Sequence, residues 1–451
     1  MASGSTSSSG SLANGQSAPN GVNNVSSLSI SSQSDPQTPR VPRRLYSLSQ
    51  PPSLSAFKTL CSQSTSREIY PHASAVVSNI PVYELPTEAD AFADPGFIDA
   101  LQDEWHHILL SGPGVVVLRN FVPDRKLIEQ VNAVFEAIIA AESELLAQGG
   151  HGRDKGDHFA ASGKNARIWN SFQKHAERDP ASFVQYYSSR YLAAMCAAWL
   201  GPAYQITAQV NIVRPGGQPQ VSHRDYHLGF QTTAACALYP SAMQVATQFL
   251  TLQGAVAHTD MTLASGPTRF LPFSQQFEPG YMAFRLREFQ EFFDQNWVSC
   301  ALNMGDAVFF NPALFHAAGE NRTPDVHRSA NLLQVSSAFG KTMETVDTLA
   351  IISRCWDDVR KLYVEEWGGG GGGLDRTELL QNGGVTSRVH AILDAIANGY
   401  PFPTNLDRRP PAPGGMAPES EVDILRKGLL EGWDVKKVVA ALEVIRTDSM
   451  P

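Results

Sequence analysis

The spacing of hydrophobic residues predicts a helical first part of the folded chain and a strand-rich middle part. Apolar side chains recur every three to four residues over 95–110 and 124–148, which is the period of an amphipathic helix. Between these two helices, the β-branched run at 114–118 predicts a buried strand. A further helix is predicted over 182–200, where a Gly-Pro pair would end it.

From about residue 205 to residue 340 the pattern changes to short strands separated by turns. In the first predicted strand, over 205–213, apolar residues occupy one face and Thr207, Gln209 and Asn211 the other, so the polar face either meets solvent or lines a pocket. A Pro-Gly turn and a strand through His223 follow. The remaining predicted strands cover 247–252, 267–271, 306–311 and 328–336. Strands of this length and spacing favour an antiparallel sandwich or barrel.

The first 66 residues are rich in Ser, Asn, Gln and Pro and carry few large hydrophobic side chains. Such a segment buries too little apolar surface to offset its ordering entropy, so a disordered tail is predicted over 1–66. It lacks the charged start and apolar stretch of a secretory signal. Its Ser-rich, acid-poor character weakly resembles an organelle transit peptide, but a plain tail on a cytoplasmic protein is favoured.

The C-terminal part begins with a predicted helix over 344–366 and a run of six glycines. The glycines predict a linker or loop at 367–374. The remainder, 375–451, contains amphipathic patterns at 385–397 and 419–445 around a Pro-rich stretch, and is predicted to be a helical extension. This extension packs on the core, forms a homodimer contact or acts as a lid, and the pattern does not distinguish these alternatives.

The composition of the chain excludes several kinds of binding partner and site. The net charge of −9 and the lack of a basic cluster argue against a nucleic-acid partner, and no apolar run is long enough for a membrane span. The five cysteines are odd in number, lie far apart and form no C-x-x-C pair, which disfavours zinc-finger and thioredoxin-like sites. They indicate a reducing compartment.

The triplet His223-Arg224-Asp225 is the candidate for metal chemistry. In an extended segment, residues two apart project from the same face, so an imidazole nitrogen and a carboxylate oxygen can bind one ion. The predicted third ligand is His316, which ends an apolar strand that follows a Gly305-Asp306 turn. Two histidines and one carboxylate make up the facial triad of non-haem Fe(II) oxygenases.

Arg328 opens the next predicted strand after His316. If these two strands are antiparallel neighbours, the guanidinium lies near the pocket floor, where it can bind a carboxylate through two parallel hydrogen bonds. A metal triad combined with such a carboxylate clamp suits an iron enzyme that binds 2-oxoglutarate and activates O2.

The order of these motifs resembles the phytanoyl-CoA dioxygenase family of Fe(II)/2-oxoglutarate-dependent oxygenases. The matching pieces are the Pro-Gly turn before the His223 triplet, Asp260 with the Gly266-Pro267 turn, Gly305-Asp306 with His316, Gly319 and Asn321, and finally Arg328. The resemblance covers about residues 80–345. It implies a mainly β fold with flanking helices around a double-stranded β-helix (jelly-roll, cupin-like) core. It also implies iron on His223, Asp225 and His316, and 2-oxoglutarate on Arg328.

With this resemblance, residues 67–366 are expected to form the dioxygenase domain, which would use Fe(II), 2-oxoglutarate and O2. It would oxidise, most simply by hydroxylation, a C–H bond of a small acyl lipid or secondary metabolite, with release of succinate and CO2. Asp225 argues against a halogenase, for which the resemblance implies a small residue there. Two alternatives are a catalytically degenerate β-helix protein used for binding or scaffolding, and a cupin-type metal hydrolase or isomerase that does not use 2-oxoglutarate.

Two positions depart from the family pattern. Arg224 stands where the family often has Gln, and Ala318 stands where it often has a Ser that helps to hold 2-oxoglutarate. With fewer hydroxyl contacts available, the candidates for further contacts to 2-oxoglutarate are Gln209, Asn211 and Thr247. His227 is a candidate substrate contact at the pocket mouth, with a surface histidine as the alternative.

Two assignments compete with those above. The triplet His258-Thr259-Asp260 has the same spacing as the metal pair, but Asp260 fits the later Asp of the family pattern and lies on a different predicted strand. Arg322 competes with Arg328 for the carboxylate, but it lies in a Gly-Glu-Asn-Arg-Thr-Pro turn. We therefore favour His223 with Asp225 for the metal, and Arg328 for the clamp.

Overall fold

The computed structural model describes residues 41–147, 165–368, 387–413 and 415–450. The strands of these residues are β1 Ala75–Val77, β2 Ile80–Glu84, β3 Val115–Arg119, β4 Asn165–Ile168, β5 Tyr204–Val213, β6 Thr251–Ala257, β7 Arg269–Phe270, β8 Ala307–Phe310, β9 His316–Ala317 and β10 Arg328–Ser337. The helices are α1 Leu54–Cys61, α2 Glu88–Ala91, α3 Pro95–Leu110, α4 Arg125–Ala147, α5 Ser171–Arg178, α6 Pro180–Tyr187, α7 Arg190–Leu200, α8 Thr233–Cys236, α9 Ser241–Ala246, α10 Gly280–Ala283, α11 Arg287–Asn296, α12 Thr348–Trp367, α13 Arg388–Ile396, α14 Glu421–Leu430 and α15 Val435–Asp448.

Eight strands form one long sheet in the order β1-β2-β3-β8-β6-β10-β5-β4. All neighbours are antiparallel except β2 and β3. A second layer consists of the β7–β9 pair and isolated bridges, among them His223 with His316. The two layers form the double-stranded β-helix core, mainly β with flanking helices, that was expected for the fold class. That expectation is confirmed.

Helices cover the face of the long sheet that lies away from the second layer. Along β5, the apolar residues Ile206, Ala208 and Val210 join the main hydrophobic cluster, which also contains side chains of α3, α4, α7 and α12. The alternate residues Gln209 and Asn211 line a cavity between the layers. The period-2 alternation of this strand therefore separates a helix-facing side from a cavity-facing side.

The C-terminal helices share the main hydrophobic cluster. Residues of α13, α14 and α15 are buried in it together with α12, and the Trp356 indole donates to the Trp433 carbonyl at 2.9 Å. This packing is the first of the three alternatives given for the helical extension. Most of the predicted linker at 367–374 lies outside the described residues. Among the described helices, none combines the length and the apolar character needed to cross a bilayer.

Several helices and strands differ from their predicted bounds. The helix expected at 182–200 is two helices, because Ser189 caps α7 by accepting from the Leu192 amide. The pattern at 419–445 also divides in two, since Gly432 has a φ of +68° and Asp434 caps α15. No regular strand runs through His223, which makes only a single bridge. The predicted strand at 247–252 begins at Thr251, after a 3-10 turn.

The predicted disorder over 1–66 is wrong for its last part. Residues 1–40 lie outside the described residues, but α1 is a capped helix whose Phe57 is fully buried. The Phe57 ring packs with its centroid 5.0 Å from that of Phe289 and 4.9 Å from that of Phe315. One well-placed aromatic anchors α1, although the composition around it resembles that of a disordered segment.

Candidate metal centre

His223, Asp225 and His316 converge at the cavity between the two layers. His223 and Asp225 lie on an extended segment, and His316 begins β9. A reciprocal pair of backbone hydrogen bonds, 2.9 and 3.1 Å long, joins His223 to His316. Nε2 of His223 lies 3.8 Å from Oδ1 of Asp225, and Nε2 of His316 lies 3.6 Å from Oδ2. The possible ligand atoms of these three side chains all lie within 4.8 Å of one another. Among the described residues, this is the group of three or more His, Cys, Asp or Glu side chains that could hold a metal ion.

The hydrogen bonds of the two imidazoles set their tautomers. Nδ1 of His223 lies 2.9 Å from the Val221 carbonyl, and Nδ1 of His316 lies 2.8 Å from the Leu314 carbonyl. Because a carbonyl oxygen only accepts, each Nδ1 carries the hydrogen and each Nε2 presents a lone pair. Two nitrogen lone pairs and a carboxylate therefore face one another. This arrangement fits a divalent cation between them, since metal-binding histidines commonly donate from the other nitrogen in this way.

Asp225 is held and kept ionised by its surroundings. Burial opposes ionisation, but His223, His316 and a hydrogen bond from Gln253 outweigh it, so the pKa of Asp225 is well below its ordinary value. Nε2 of Gln253 donates to Oδ2 at 2.8 Å, and the hydroxyl of Tyr281 donates to the Asp225 carbonyl at 2.8 Å. Gln253 was not among the site residues predicted from the sequence. The available signal was a polar side chain inside the otherwise buried and mostly apolar β6.

Arg224 anchors the segment from the side opposite the cavity. Its guanidinium is buried and donates to the carbonyls of Ser274, Gln275 and Phe277 at 2.8–3.1 Å. The sequence marked Arg224 only as a departure from the family pattern. The structure shows that this residue ties the His223–Asp225 segment to the loop before α10.

A cavity of about 580 Å³ opens in front of the three side chains. It is lined by His223, Asp225 and His316 together with Arg328, Gln209, Asn211 and Ala318. Val117, Val308 and Phe310 form an apolar part of its wall. Most of the residues singled out from the sequence therefore meet in one cavity, whose volume is typical of a small-molecule site.

Arg328 is buried at the start of β10, with 6% of its surface exposed. Its strand pairs with β5 and β6, whereas His316 lies on β9 in the other layer, so the expected pairing of these two strands is wrong. Burial lowers the pKa of Arg328 to about 10. The guanidinium donates to the Gly319 carbonyl at 3.5 Å, and no acidic side chain of the described residues forms an ion pair with it. A buried cation in these surroundings favours an anionic ligand.

Two of the weaker candidates lie outside the cavity wall. Thr247 sits in the 3-10 turn before β6, and its hydroxyl donates to the Gln244 carbonyl at 2.9 Å. His227 is half-buried with a φ of +44°, and it does not line the cavity. The expected roles of Thr247 and His227 therefore have no support in the structure. The strand and turn patterns could not reveal this, because both residues lie in irregular segments.

The residues of the two competing assignments, His258 with Asp260 and Arg322, do not line this cavity. His258 is fully buried and hydrogen-bonds to Tyr186 and Asn132, whereas Asp260 is exposed and lies 3.8 Å from Arg125. Arg322 lines a smaller neighbouring cavity.

Part of the chain matches a known protein family. Residues 110–330 match the family model described as phytanoyl-CoA dioxygenase (PhyH). No curated protein matches the chain. The solved structures that match the chain include the non-heme alpha ketoglutarate dependent epimerase SnoN from nogalamycin biosynthesis, at 18% identity over 54% of this chain and 82% of that one, with a TM-score of 0.37. AviO1 from Streptomyces viridochromogenes Tue57 has 15% identity over 51% and 92%, with a TM-score of 0.36.

HygX from Streptomyces hygroscopicus, with nickel and 2-oxoglutarate bound, has 12% identity over 52% of this chain and 87% of that one, with a TM-score of 0.35. The match to the family model agrees with the fold and with the order of motifs along the chain. Residues 110–330, just under half of the chain, form a domain of the phytanoyl-CoA dioxygenase (PhyH) family, and the protein is an enzyme of the class that depends on iron and 2-oxoglutarate.

Proposed function

We propose that this enzyme hydroxylates a C–H bond of a small organic substrate, with iron held by His223, Asp225 and His316 and 2-oxoglutarate held by Arg328. The observation that carries the proposal is the convergence of two imidazole lone pairs and a carboxylate on a cavity that also contains a buried arginine, which has no acidic partner within the described ranges. Ligands of this kind suit Fe(II), and a buried guanidinium suits a carboxylate co-substrate.

When bound, the iron supplies the oxidising chemistry, in which 2-oxoglutarate and O2 are converted to succinate and CO2 as the substrate is oxidised. The residues of the chain hold and orient the reactants. A facial set of three ligands leaves the remaining coordination positions open. Gln253 orients the Asp225 carboxylate, and Arg328 binds the far carboxylate of 2-oxoglutarate, with Asn211 and Gln209 on the neighbouring strand.

The apolar part of the wall excludes water from the reacting groups. Val117, Val308 and Phe310 come from the neighbouring strands β3 and β8 and are almost fully buried. Phe310 also packs against His316, with ring centroids 4.8 Å apart. A dry wall beside the predicted ligands strengthens the electrostatic contacts to bound anions. All five cysteines are free thiols, which supports a cytoplasmic or otherwise reducing location.

The proposal is tested by adding Fe(II) and 2-oxoglutarate without oxygen and recording the visible charge-transfer absorption of the complex. Wild-type protein should develop this band, and His316→Ala should lose it because one of the three donors is gone. His106→Ala, which changes an exposed histidine on α3, is the matched control and should keep the band. A wild type without the band contradicts the proposed function. A band unchanged by His316→Ala contradicts the ligand set.

A further inference from the structure

The cavity wall carries a row of carboxamide side chains that the proposed iron and 2-oxoglutarate sites do not require in full. Gln334 of β10 pairs in register with Gln253 of β6, and Gln209 of β5 lies one row along the same face. Gln253 and Gln334 are 5% and 8% exposed. Burying amides is unfavourable unless they are hydrogen-bonded, so a row of them at a cavity indicates a ligand that meets them.

Among the residues that the structure describes, the amide oxygens of Gln253 and Gln334 are buried and have no hydrogen-bond partner. Nε2 of Gln253 donates to Oδ2 of Asp225 at 2.8 Å, so the amide oxygen of Gln253 is the atom left as an acceptor. A buried acceptor that finds no hydrogen-bond donor destabilises the site. Hydroxyl and amino groups on a ligand would remove this destabilisation, whereas a hydrocarbon chain would leave it in place.

The position of these acceptors assigns them to the oxidised substrate and not to the 2-oxoglutarate carboxylate. Arg328 begins β10, and Gln334 lies near the other end of the same strand, roughly 20 Å away at 3.3–3.4 Å per residue. Gln253, the partner of Gln334, contacts Asp225. Gln253 and Gln334 therefore lie at the metal end of the cavity, away from the proposed carboxylate clamp.

An indole lies at the edge of the same cavity. Trp169 follows β4, lines the cavity and is 42% exposed. The Arg167 guanidinium lies 5.2 Å from its ring centroid and donates to Oε1 of Gln209 at 2.6 Å. An exposed aromatic face beside buried polar groups suits a ligand that offers both a ring and hydrogen-bonding substituents.

We propose that the substrate is a ring compound carrying several hydroxyl or amino groups. Its donors meet the Gln253 and Gln334 oxygens, and its ring packs at Trp169. This rests on the proposed function, because it names the substrate class of the same site. A site that provides buried hydrogen-bonding groups rejects ligands that lack the matching groups. A long-chain acyl thioester is therefore disfavoured.

The test uses the protein loaded with Fe(II) and 2-oxoglutarate and two sets of probes. The first set is myo-inositol, glucosamine and methyl glucoside; the second is decanoyl- and palmitoyl-coenzyme A. Probe binding is read from the change in the charge-transfer band, and probe-dependent turnover from succinate release. Ring probes should give both responses, and the acyl thioesters neither. Gln334→Leu should weaken ring-probe binding about tenfold, because one acceptor is lost.

Gln63→Leu, at an exposed position after α1, is the matched control and should leave ring-probe binding unchanged. The affinity for 2-oxoglutarate is measured in both variants, so that a loss of co-substrate is distinguished from a loss of substrate. A response to the acyl thioesters, no response to any ring probe, or unchanged binding in Gln334→Leu would overturn the proposal. A wild type that forms no charge-transfer band with 2-oxoglutarate would instead contradict the proposed function.

Discussion

Among individual residues, the buried arginines Arg224 and Arg328 differ in what surrounds their guanidinium groups. Arg224 donates to three backbone carbonyls and lies near the rings of Tyr281 and Phe315. Arg328 has one long hydrogen bond to Gly319 and faces the cavity. The guanidinium of Arg224 is therefore used to hold the backbone in place, whereas that of Arg328 can bind a ligand. Residue type alone does not separate these two roles.

Arg328→Ala should weaken 2-oxoglutarate binding by about 1.5–3 kcal/mol, or roughly ten- to a hundredfold, because a charge-assisted hydrogen-bonded pair is lost. Iron affinity should stay close to that of the wild type. Titration of the charge-transfer band with 2-oxoglutarate measures the first quantity, and Fe(II) titration the second. Arg322→Ala, in the smaller neighbouring cavity, is the matched control. An equal loss in the two variants would refute the clamp.

At the scale of secondary-structure elements, the predicted metal ligands are held by irregular segments, not by long strands. The His223 segment makes one bridge to β9 and is tied through Arg224 to the loop before α10. Gly280, the first residue of α10, leaves room for the guanidinium: a Cβ there would lie 1.9 Å from Cζ of Arg224. The position of the predicted ligands therefore depends on the packing of a short helix.

Gly280→Ala should displace the Arg224 side chain, destabilise the protein by about 1–3 kcal/mol and weaken iron binding. Gly399→Ala is the matched control, since a Cβ there would meet no atom closer than 3.6 Å, and it should change stability by no more than about 0.5 kcal/mol. Urea unfolding gives the free energy, and Fe(II) titration gives the affinity. If Gly280→Ala binds iron as tightly as Gly399→Ala does, Arg224 does not position the ligands.

In the molecule as a whole, the long sheet separates the cavity from a helical layer that contains its own buried polar groups. His258, just after β6, hydrogen-bonds to Tyr186 of α6 and Asn132 of α4 at 2.9 and 2.7 Å. His175 of α5 hydrogen-bonds to Ser182 at 2.9 Å. Burial lowers the pKa of His258 to about 3 and that of His175 to about 4. Both imidazoles therefore stay neutral where helices and sheet meet.

These two histidines should make the fold less stable in acid. In the unfolded chain they take up protons below about pH 6.5, whereas the folded chain does so only near pH 4 and 3. Their contribution is complete above about pH 6.5 and is lost as the pH falls toward 4, at up to about 1.4 kcal/mol per pH unit for each. Urea unfolding from pH 7.5 to 4.5 measures this slope.

His258→Gln and His175→Gln should each flatten that pH dependence. His327→Gln, at an exposed position, is the control and should leave the slope as in the wild type. Identical slopes in all the variants would show that the two buried histidines are not responsible for the acid sensitivity.

Much of the local structure could be predicted from the sequence, because it depends on neighbouring residues. The helical spacing of apolar residues predicted α3 with its observed bounds, and the alternation of apolar and polar residues predicted β5 to within one residue. The strand alternation correctly placed Gln209 and Asn211 on one face. The sequence left open whether that face met solvent or a pocket, because the answer depends on the second layer that covers the strand. In the same way, α1 was missed because its stability comes from distant aromatic rings around Phe57.

For the candidate site, too, some features could be predicted from the sequence and others required the tertiary structure. The sequence by itself determined which residues were available, namely His223 with Asp225, His316 and Arg328, since their types and spacing can be read along the chain. Only the tertiary structure decided that His223 bridges to His316 and that Arg328 lies in the opposite layer. It also decided that Thr247 and His227 lie outside the cavity. Strand pairing and burial arise from contacts between residues far apart in sequence, and such contacts leave no period or spacing in a single chain.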